Sequence, residues 1–409
     1  MTERVKDIPG EILPPARLML TPGPSCVEPR VYRAMAAPIV GHMDPWFTQM
    51  MDDVQQLLRL VFQTKNRITY PISASGSGGI EAAVMNALDA GEECIVCING
   101  AFSERMAIIA ERIPSVKVIR VEAPYGRTVD PQDVLRAGKG RKIKFVGLAH
   151  GETSSGVVQR IEDYRKVADD LGALLIVDTV ATLAGVPLNV DEQRIDICFS
   201  GSQKAISAPP GMAPITVNTR VEEVMHARKE PVWSWYFDMT SAMNYWGHER
   251  LYHHTPPITL IYAMREALRA VMEETLEGRW ERHARNQQAL IVGLEAMGLE
   301  LFVKNPTDRL VTVTAINIPA GIEDGKVRRQ LLDEFDIEIA GGFGPIKGKI
   351  WRVGLMGYSA QQNNVLLFLA GLEKTLSDQG FRLPAGAGVA AALKSFQHAS
   401  QPAAVGARK

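Results

Sequence analysis

The sequence predicts an α/β protein in which a mostly parallel sheet is covered by helices and is followed by a smaller α+β domain. Between about residues 90 and 200, apolar strand-like runs alternate with amphipathic helix-like stretches. These strands are apolar on both faces, which is typical of parallel strands buried beneath helices. After about residue 280 the pattern changes to shorter, alternating segments, which indicates a second domain.

The individual elements follow from these patterns in chain order. The predicted strands of the large domain are 93–98, 117–121, 145–149, 173–177 and 195–200. The predicted helices beside them are 79–88, 103–112, 130–136 and 161–171. A stretch rich in Ala, Leu, Glu and Arg predicts a long helix over 258–297. The segments expected in the small domain are 310–318, a helix at 326–334, then 337–340 and a strand at 349–355.

These elements divide the chain into four parts. We expect an N-terminal arm at 1–20, a large domain at 21–280, a small domain at 281–385 and an Ala/Gly-rich peripheral tail at 386–409. The arm contains prolines at 9, 14 and 15. Such arms are ordered only where they lie on another surface, often that of a partner subunit.

Composition excludes several classes of protein. The chain is 46% hydrophobic and carries a formal net charge of −1, which argues against a nucleic-acid or membrane-surface partner. No run approaches the ~20 apolar residues of a membrane span, and the charged start lacks a signal-peptide core. The four cysteines form no disulfide framework, because Cys94 and Cys97 lie on opposite faces of a predicted strand. A reducing cytoplasm fits this content best.

The most informative segment is Ser-Gly-Ser-Gln-Lys-Ala at 200–205, directly after a predicted strand. A lysine just past a buried strand lies in a site of low dielectric constant, which lowers the pKa of its amine. The neutral amine is the form that attacks an aldehyde. The small residues before Lys204 let backbone approach a ligand, and Pro-Pro-Gly at 209–211 fixes the loop. This context favours a cofactor-bearing lysine over a solvated surface lysine.

Asp178 ends a wholly apolar predicted strand. Ligands of open α/β sheets lie beyond the carboxyl ends of the strands, so an acid there can hold the protonated pyridine nitrogen of pyridoxal phosphate. The alternative is that Asp178 caps a following helix. Its pairing with Lys204, one strand later, favours the cofactor interpretation, and pyridoxal phosphate is therefore the expected cofactor.

Further candidates are less specific. A Gly/Ser loop at 73–79 opens a predicted helix and can bind a phosphate, although such loops are common and this one matches neither GxGxxG nor a Walker A motif. Arg352 interrupts a predicted strand and can bind a substrate carboxylate or form a surface salt bridge. Phe102 can cover a ring or pack in the core. The adjacent His253 and His254 lack metal-ligand spacing, so no metal is expected.

Taken together, these segments resemble the alanine–glyoxylate and serine–glyoxylate aminotransferases, class V members of the fold-type I pyridoxal-phosphate enzymes. The resemblance runs from about residue 20 to about residue 372. The motifs that carry it are Thr-Pro-Gly-Pro at 21–24, His-Gly-Glu-Thr-Ser-Ser-Gly at 150–156, Ser-Gly-Ser-Gln-Lys-Ala at 200–205, Ala-Pro-Pro-Gly at 208–211, Tyr-His-His-Thr at 252–255, Ile-Glu-Ile at 337–339 and Gly-Phe-Gly-Pro at 342–345.

The resemblance implies a mostly parallel, seven-stranded sheet and a ping-pong transfer of an amino group from alanine or serine to glyoxylate. It implies that Lys204 forms the Schiff base and shuttles the proton, that Asp178 pairs with the ring nitrogen, and that Arg352 binds the substrate carboxylate. Further cofactor contacts implied by it are Ser77, Gly78, Gly79 and Gln203 to the phosphate, Thr153 to the ring hydroxyl, and Phe102 and Val180 to the ring faces. In a homodimer with shared sites, Tyr252 and Thr255 reach the phosphate in the other subunit.

Ureidoglycine–glyoxylate aminotransferases share much of this pattern, including Trp-Tyr-Phe-Asp at 235–238 and Tyr-Trp-Gly at 245–247. In that group a Gln and an Asn recognise the ureido moiety. The matching positions here are His42 and Tyr252, which favours a small donor and makes His42 a candidate substrate-binding residue.

The sequence leaves other functions open and favours them less. A phosphoserine aminotransferase keeps the same cofactor, as does a cysteine desulfurase, which needs a mobile-loop cysteine that the small domain lacks. A nicotinamide-dependent oxidoreductase is disfavoured by the missing GxGxxG motif. A catalytically silent binding protein is disfavoured because Lys204, Asp178 and Arg352 are all present.

Overall fold

In the computed structural model, which describes residues 10–399, a seven-stranded sheet forms the centre of the large domain. The strands in chain order are β1 (Leu18–Met19), β2 (Ile68–Ile72), β3 (Glu93–Ile98), β4 (Lys117–Glu122), β5 (Ile143–Ala149), β6 (Gly151–Glu152), β7 (Val157–Val158), β8 (Leu174–Asp178), β9 (Ile197–Phe199), β10 (Ala213–Val217), β11 (Val313–Asn317), β12 (Ile337–Glu338), β13 (Ala340–Gly341) and β14 (Ile350–Gly354).

The helices pack on this sheet and on the small domain. In chain order they are α1 (Pro29–Met35), α2 (Pro45–Phe62), α3 (Gly76–Ala87), α4 (Ala101–Ala110), α5 (Pro131–Gly138), α6 (Ile161–Asp170), α7 (Thr219–His226), α8 (Met239–Trp246), α9 (Ile258–Glu274), α10 (Leu276–Ala296), α11 (Asp324–Phe335), α12 (Gln362–Asp378) and α13 (Ala387–Ala399). Short 3-10 turns lie at Pro306–Asp308, Gly344–Ile346 and Gly357–Ser359. Within residues 10–399, no helix is both long enough and apolar enough to cross a membrane.

The central sheet has the order β2-β10-β9-β8-β5-β3-β4. Neighbours from β9 to β4 pair in parallel, and β10 alone runs against the others. Strands β8, β9 and β10 are buried at every residue, as expected for strands covered on both faces. The predicted α/β class with a mostly parallel sheet is confirmed, and the five predicted strands are present with ends shifted by at most two residues.

Two strands of the sheet, β2 and β10, escaped prediction because each contains a proline. Proline normally argues against a strand, since it offers no N–H to the ladder. Here Pro71 and Pro214 lie directly opposite each other in the antiparallel pair. Pro214 still accepts a 2.8 Å hydrogen bond from the backbone N–H of Ser200 through its carbonyl oxygen, so its strand remains paired on the side that leads to Lys204.

The helix predicted over 258–297 is in fact two helices. Helix α9 ends at Glu274, and Thr275 adopts a left-handed φ of 68° before α10 begins. The Thr275 hydroxyl then accepts a hydrogen bond from the N–H of Gly278 at 3.2 Å and so caps α10. A break at a residue other than glycine or proline carries almost no signal in the sequence. Helix α10 starts in the core of the large domain at Leu276 and continues into the core of the small domain at Leu290.

The small domain is an antiparallel sheet of order β11-β14-β13 with helices packed on it. Strand β1, from the segment expected to be an arm, pairs in parallel with β12 of this same domain. Residues 1–9 of the expected arm lie outside the described residues.

The segment expected as a peripheral Ala/Gly-rich tail contains helix α13, so that expectation is wrong for residues 387–399. Helix α13 packs along α10, with Ala392 and Phe396 in the small-domain core. The approach is close because a Cβ at Gly293 of α10 would lie 3.0 Å from the carbonyl oxygen of Gly388. The small residues of this Ala/Gly-rich segment allow α13 to pack closely against α10.

A core substitution in the small domain tests this packing. Phe368 of α12 is fully buried, and Phe368→Ala is expected to lower the free energy of unfolding by about 3–5 kcal/mol, through lost burial and the cavity left behind. The neighbouring Leu367 is 44% exposed, so Leu367→Ala is the matched control and is expected to cost less than about 1 kcal/mol. Urea unfolding measures both, and equal losses for the two variants would contradict this core assignment.

Candidate active site

A cavity of about 140 Å³ lies where the chain leaves the strands of the central sheet. Asp178 is the last residue of β8, Lys204 follows β9, and helix α4 follows β3. Carboxyl ends of parallel strands meet at one edge of a sheet, which is why segments distant in sequence converge here. The cavity is lined by Ser75, Gly76, Ser77, Ile80, Phe102, Arg105, Gly151, Thr153, Asp178, Val180, Gln203 and Lys204.

Lys204 is buried and forms hydrogen bonds with residues 22–25, near the N-terminal end of the chain. Its Nζ donates a hydrogen bond to the carbonyl oxygen of Pro22, and its own carbonyl oxygen accepts one from the Ser25 hydroxyl at 2.8 Å. Gly23, with a φ of 105°, packs against the lysine side chain so closely that a Cβ there would overlap it. The Thr-Pro-Gly-Pro motif is therefore the wall against which the lysine rests.

The charge state of Lys204 is set by its surroundings. Burial and, to a smaller extent, the positive charge of Arg352 lower the pKa of its amine from 10.5 to about 8, while Asp178 acts in the opposite direction. A substantial fraction of the amine is therefore neutral just above neutral pH, which is the form that reacts with a carbonyl carbon.

Asp178 is buried, and its Oδ1 accepts a hydrogen bond from the N–H of Val180 at 2.7 Å. Burial raises the pKa of this carboxyl from 3.8 to about 7, while the Val180 bond and the charges of Lys204 and Arg105 act in the opposite direction. A protonated ring nitrogen beside Asp178 supplies the positive charge that would keep it ionised.

The helix that follows the Gly/Ser loop begins three residues earlier than predicted. Helix α3 begins at Gly76, so Ser75, Gly76 and Ser77 line the cavity, whereas the predicted Gly78 and Gly79 do not. The N–H groups of Gly78 and Gly79 donate to the carbonyl oxygen of Ser75 at 2.8 and 3.2 Å, inside the first turn of the helix. A Cβ at Gly79 would instead meet Phe199 and Ala213 of the sheet. Ser73, Ser75 and Ser77 are all possible N-cap residues by sequence, so the sequence does not decide where the helix begins.

Glu152 is a buried residue of the site that the sequence analysis did not single out. Its carboxylate accepts hydrogen bonds from the N–H and hydroxyl of Ser103, both at 2.9 Å, and from the hydroxyl of Ser154 at 2.6 Å. A negative charge at the start of α4 stabilises that helix end. Glu152 therefore fixes the first turn of α4, which carries Phe102 and Arg105 to the cavity wall.

Arg352 lies on β14 of the small domain and is buried. Its Nε donates to the carbonyl oxygen of Gly341 at 2.8 Å and its Nη1 to that of Thr153 at 3.1 Å. The guanidinium also lies 4.4 Å from the ring centre of Phe343. No ion pair within residues 10–399 includes Arg352, so its charge is uncompensated by a contacting carboxylate, and burial lowers its pKa to about 10. It does not line the cavity itself.

Besides Gly78, Gly79 and Arg352, three more predicted site residues do not line the cavity, namely His42, Tyr252 and Thr255. Tyr252 is 59% exposed, and its hydroxyl lies 3.2 Å from that of Thr255. The ring of His42 is 5.1 Å from that of Tyr252. The structure thus brings together Ser77, Phe102, Thr153, Asp178, Val180, Gln203 and Lys204, but not His42, Tyr252 or Thr255.

Arg105 lines the cavity and was missed altogether. It lies one helical turn after Phe102 on α4, with its guanidinium 5.0 Å from that ring, and its Nη1 donates to the Ser77 hydroxyl at 2.7 Å. The only available signal was the helical spacing of three residues from Phe102.

Comparison with known proteins agrees with this geometry. Residues 30–362 match the aminotransferase class-V family, so the chain belongs to that family. Two similar proteins are the (S)-ureidoglycine–glyoxylate transaminase of Bacillus subtilis (strain 168), 42% identical over 97% of this chain and 99% of the relative, and the alanine–glyoxylate aminotransferase of Felis catus, 40% identical over 88% of each.

Solved structures give the same result. The ureidoglycine–glyoxylate aminotransferase from Bacillus subtilis superposes with a TM-score of 0.92 at 44% identity, covering 95% of this chain and all of that one. The alanine–glyoxylate aminotransferase from Nostoc sp. gives 0.88 at 38% identity, covering 92% and 99%. The fold is that of the fold-type I pyridoxal-phosphate aminotransferases, and the expected cofactor, pyridoxal phosphate, is confirmed.

The residues present fit this cofactor. Gln203 lines the cavity, and its buried Oε1 has no hydrogen-bond partner within residues 10–399, so its side-chain amide is available to a polar group of a ligand through that oxygen or, after a flip, through the amide nitrogen. The amine of Lys204, the acid of Asp178 and the first turn of α3 supply partners for an aldehyde, a ring nitrogen and a phosphate.

The lowered pKa of Lys204 predicts how pyridoxal phosphate attaches to the cofactor-free chain. The attachment rate, followed by absorbance, is expected to rise with pH with an inflection near pH 8, because the neutral amine reacts. Arg352→Met removes a charge that lowers this pKa, so the inflection is expected to move to higher pH.

Lys349→Met, at an exposed lysine next to the same strand, is the control and should leave the inflection in place. An inflection near 10.5 in the unmodified chain, or one that ignores Arg352→Met, contradicts this picture of the site.

Proposed function

We propose that this chain transfers the amino group of a small amino acid, alanine or serine, to glyoxylate, giving glycine and a 2-oxo acid by a ping-pong mechanism. The observation that carries the proposal is a cavity lined by the buried amine of Lys204 and the buried carboxyl of Asp178, with the buried guanidinium of Arg352 close enough to lower the pKa of Lys204. The named relatives of both kinds use glyoxylate and differ in the donor, which supports glyoxylate as the acceptor.

Each site residue has a role in this reaction. When bound, pyridoxal phosphate supplies an aldehyde carbon and a ring that stores an electron pair. Lys204 holds the cofactor and moves the proton from the α-carbon of the amino acid, Asp178 accepts a hydrogen bond from the ring nitrogen, and Phe102 and Val180 cover the ring. Arg352 binds the α-carboxylate bidentately, which fixes the α-carbon relative to Lys204. Gln203 and Ser77 bind the phosphate, and Thr153 lies beside the ring hydroxyl.

(S)-Ureidoglycine is the second candidate donor, and a specific observation favours it. The Bacillus subtilis transaminase of that name is 42% identical across almost the whole chain. Against it, His42 and Tyr252 stand where the ureidoglycine enzymes are expected to carry Gln and Asn. An imidazole and a phenol, with ring centres 5.1 Å apart, offer a different hydrogen-bonding surface from two amides.

A homodimer with shared sites is part of the proposal. Large apolar side chains are exposed around the segment that carries Tyr252, among them Leu251 at 56% and Trp235 at 64%. Exposed aromatic and aliphatic side chains grouped in this way mark interfaces. A partner on this face would bring Tyr252 and Thr255 of one chain to the cavity of the other, with His42 beside them. We place the enzyme in the cytoplasm, where its free cysteines stay reduced.

The donor is tested by a half-reaction. The purified yellow holoenzyme is mixed with alanine, serine, (S)-ureidoglycine or glutamate, and the loss of the visible cofactor absorbance is timed, followed by its return with glyoxylate. Alanine or serine is expected to exceed (S)-ureidoglycine by at least about tenfold in second-order rate constant. Lys204→Ala is expected to show neither step at a measurable rate. A faster reaction with (S)-ureidoglycine would transfer the proposal to that donor.

Site sharing is tested by mixing two inactive variants. One carries Lys204→Ala and the other carries Tyr252→Ala together with Thr255→Ala, and the two are unfolded and refolded together at limiting cofactor. Half of the resulting dimers are mixed and each has one intact site, so about a quarter of the normal activity is expected to return. Mixing the Lys204→Ala chain with itself is the control. No recovery in verified mixed dimers means that Tyr252 and Thr255 serve their own chain.

A further inference from the structure

The guanidinium of Arg105 lines the same cavity as Asp178 and lowers the pKa of that carboxyl, but the two groups form no ion-pair contact. The Nη1 of Arg105 donates to the Ser77 hydroxyl at 2.7 Å. No ion pair within residues 10–399 includes Arg105, although a guanidinium has five N–H donors. An arginine that faces a cavity with unused donors and no carboxylate in contact is arranged to receive an anion.

The partner of Arg105 indicates which anion this is. Ser77 lies in the first turn of α3, a helix of 12 residues whose N-terminus lines the same cavity through Ser75 and Gly76. Gln203, with its unpartnered buried amide oxygen, lines it too. The hydroxyl, the free N–H groups of the helix end and, after an amide flip, the NH2 group of Gln203 are donors that a phosphate can use, and the helix end adds a favourable dipole.

We propose that Arg105 is a phosphate-binding residue of the cofactor site. The proposal extends the cofactor site described above and is independent of which amino donor is used. The guanidinium supplies paired N–H donors to two phosphate oxygens. The Ser77 hydroxyl, which accepts from Arg105, keeps its own proton to donate to a third. Glu152 supports this arrangement because it fixes the helix start that carries Arg105.

Two other roles for Arg105 are separable from this one. The guanidinium could serve only to hold the Phe102 ring, at 5.0 Å, in place. It could instead bind a second carboxylate of a dicarboxylic substrate. The first role predicts weaker binding of any pyridoxal compound, and the second predicts a change in KM for dicarboxylic donors with cofactor binding unchanged. Arg352 already offers a carboxylate site from the small domain, which favours the phosphate for Arg105.

The test compares pyridoxal phosphate with pyridoxal, which lacks the phosphate, on the cofactor-free full-length chain. Binding is followed by absorbance and by quenching of tryptophan fluorescence, with no amino donor or acceptor present. Arg105→Gln is expected to weaken pyridoxal phosphate binding by about 10- to 100-fold, the loss expected for a charge-assisted bidentate contact, and to change pyridoxal binding less than about twofold. Arg105→Lys, which keeps the charge, is expected to recover part of the loss.

Arg112→Gln is the matched control, because Arg112 is an exposed arginine just after the same helix. As a second readout, inorganic phosphate is expected to raise the Tm of the cofactor-free chain, and Arg105→Gln is expected to reduce this shift. Equal weakening of both pyridoxal compounds, or an unchanged ratio of their affinities, overturns the proposal. Because no substrate enters the measurement, a wrong donor assignment leaves its outcome unaffected.

Discussion

The structure depends on keeping one amine buried and partly uncharged. Lys204 is 8% exposed and forms no ion pair within the described part of the chain, so its positive form is disfavoured by lost hydration and by the charge of Arg352. The surrounding chain compensates with a carbonyl acceptor from Pro22 and hydrogen bonds from the segment around Ser25. A lysine in water would be almost fully protonated and unreactive towards a carbonyl group at the same pH.

Helix α10, which belongs to both domains, carries buried polar side chains that contact the loop of Lys204. Arg279 is buried and donates to the carbonyl oxygen of Ala205, next to Lys204, at 2.6 Å. One turn later, the Nε2 of His283 accepts from the N–H of Gly357 at 2.9 Å. Burial lowers the pKa of His283 to about 3, so the ring is neutral, as an acceptor at Nε2 must be. Helix α10 thus connects the lysine loop directly to the segment that follows the Arg352 strand.

Whether a site residue could be predicted from the sequence depended on its position relative to the strands and helices. Asp178 could be predicted because it ends a strand that is apolar throughout, and Lys204 because it closely follows the next such strand. The start of helix α3 was predicted three residues late, because a run of serines and glycines hides where the helix begins. Arg105 and Glu152 could not be found, since each acts through a contact between segments far apart in sequence. The fold could be predicted better than the site. Buried strands leave a repeated pattern of apolar residues in the sequence, whereas a single contact between distant segments leaves no pattern.

The wall behind Lys204 also determines when the site can exist. Residues 20–26 are held by β14 and the turn after it: Gly354 donates to the carbonyl oxygen of Leu20 at 2.7 Å, and Cys26 donates to the hydroxyl of Ser359 across 333 sequence positions. Contacts between such distant segments form slowly, because the entropy of closing the intervening loop must be overcome first. Lys204 is therefore enclosed only after the chain has been synthesised through Ser359, whereas the last strand of the central sheet ends at Val217. The wall behind the lysine thus needs segments that the sheet itself does not use.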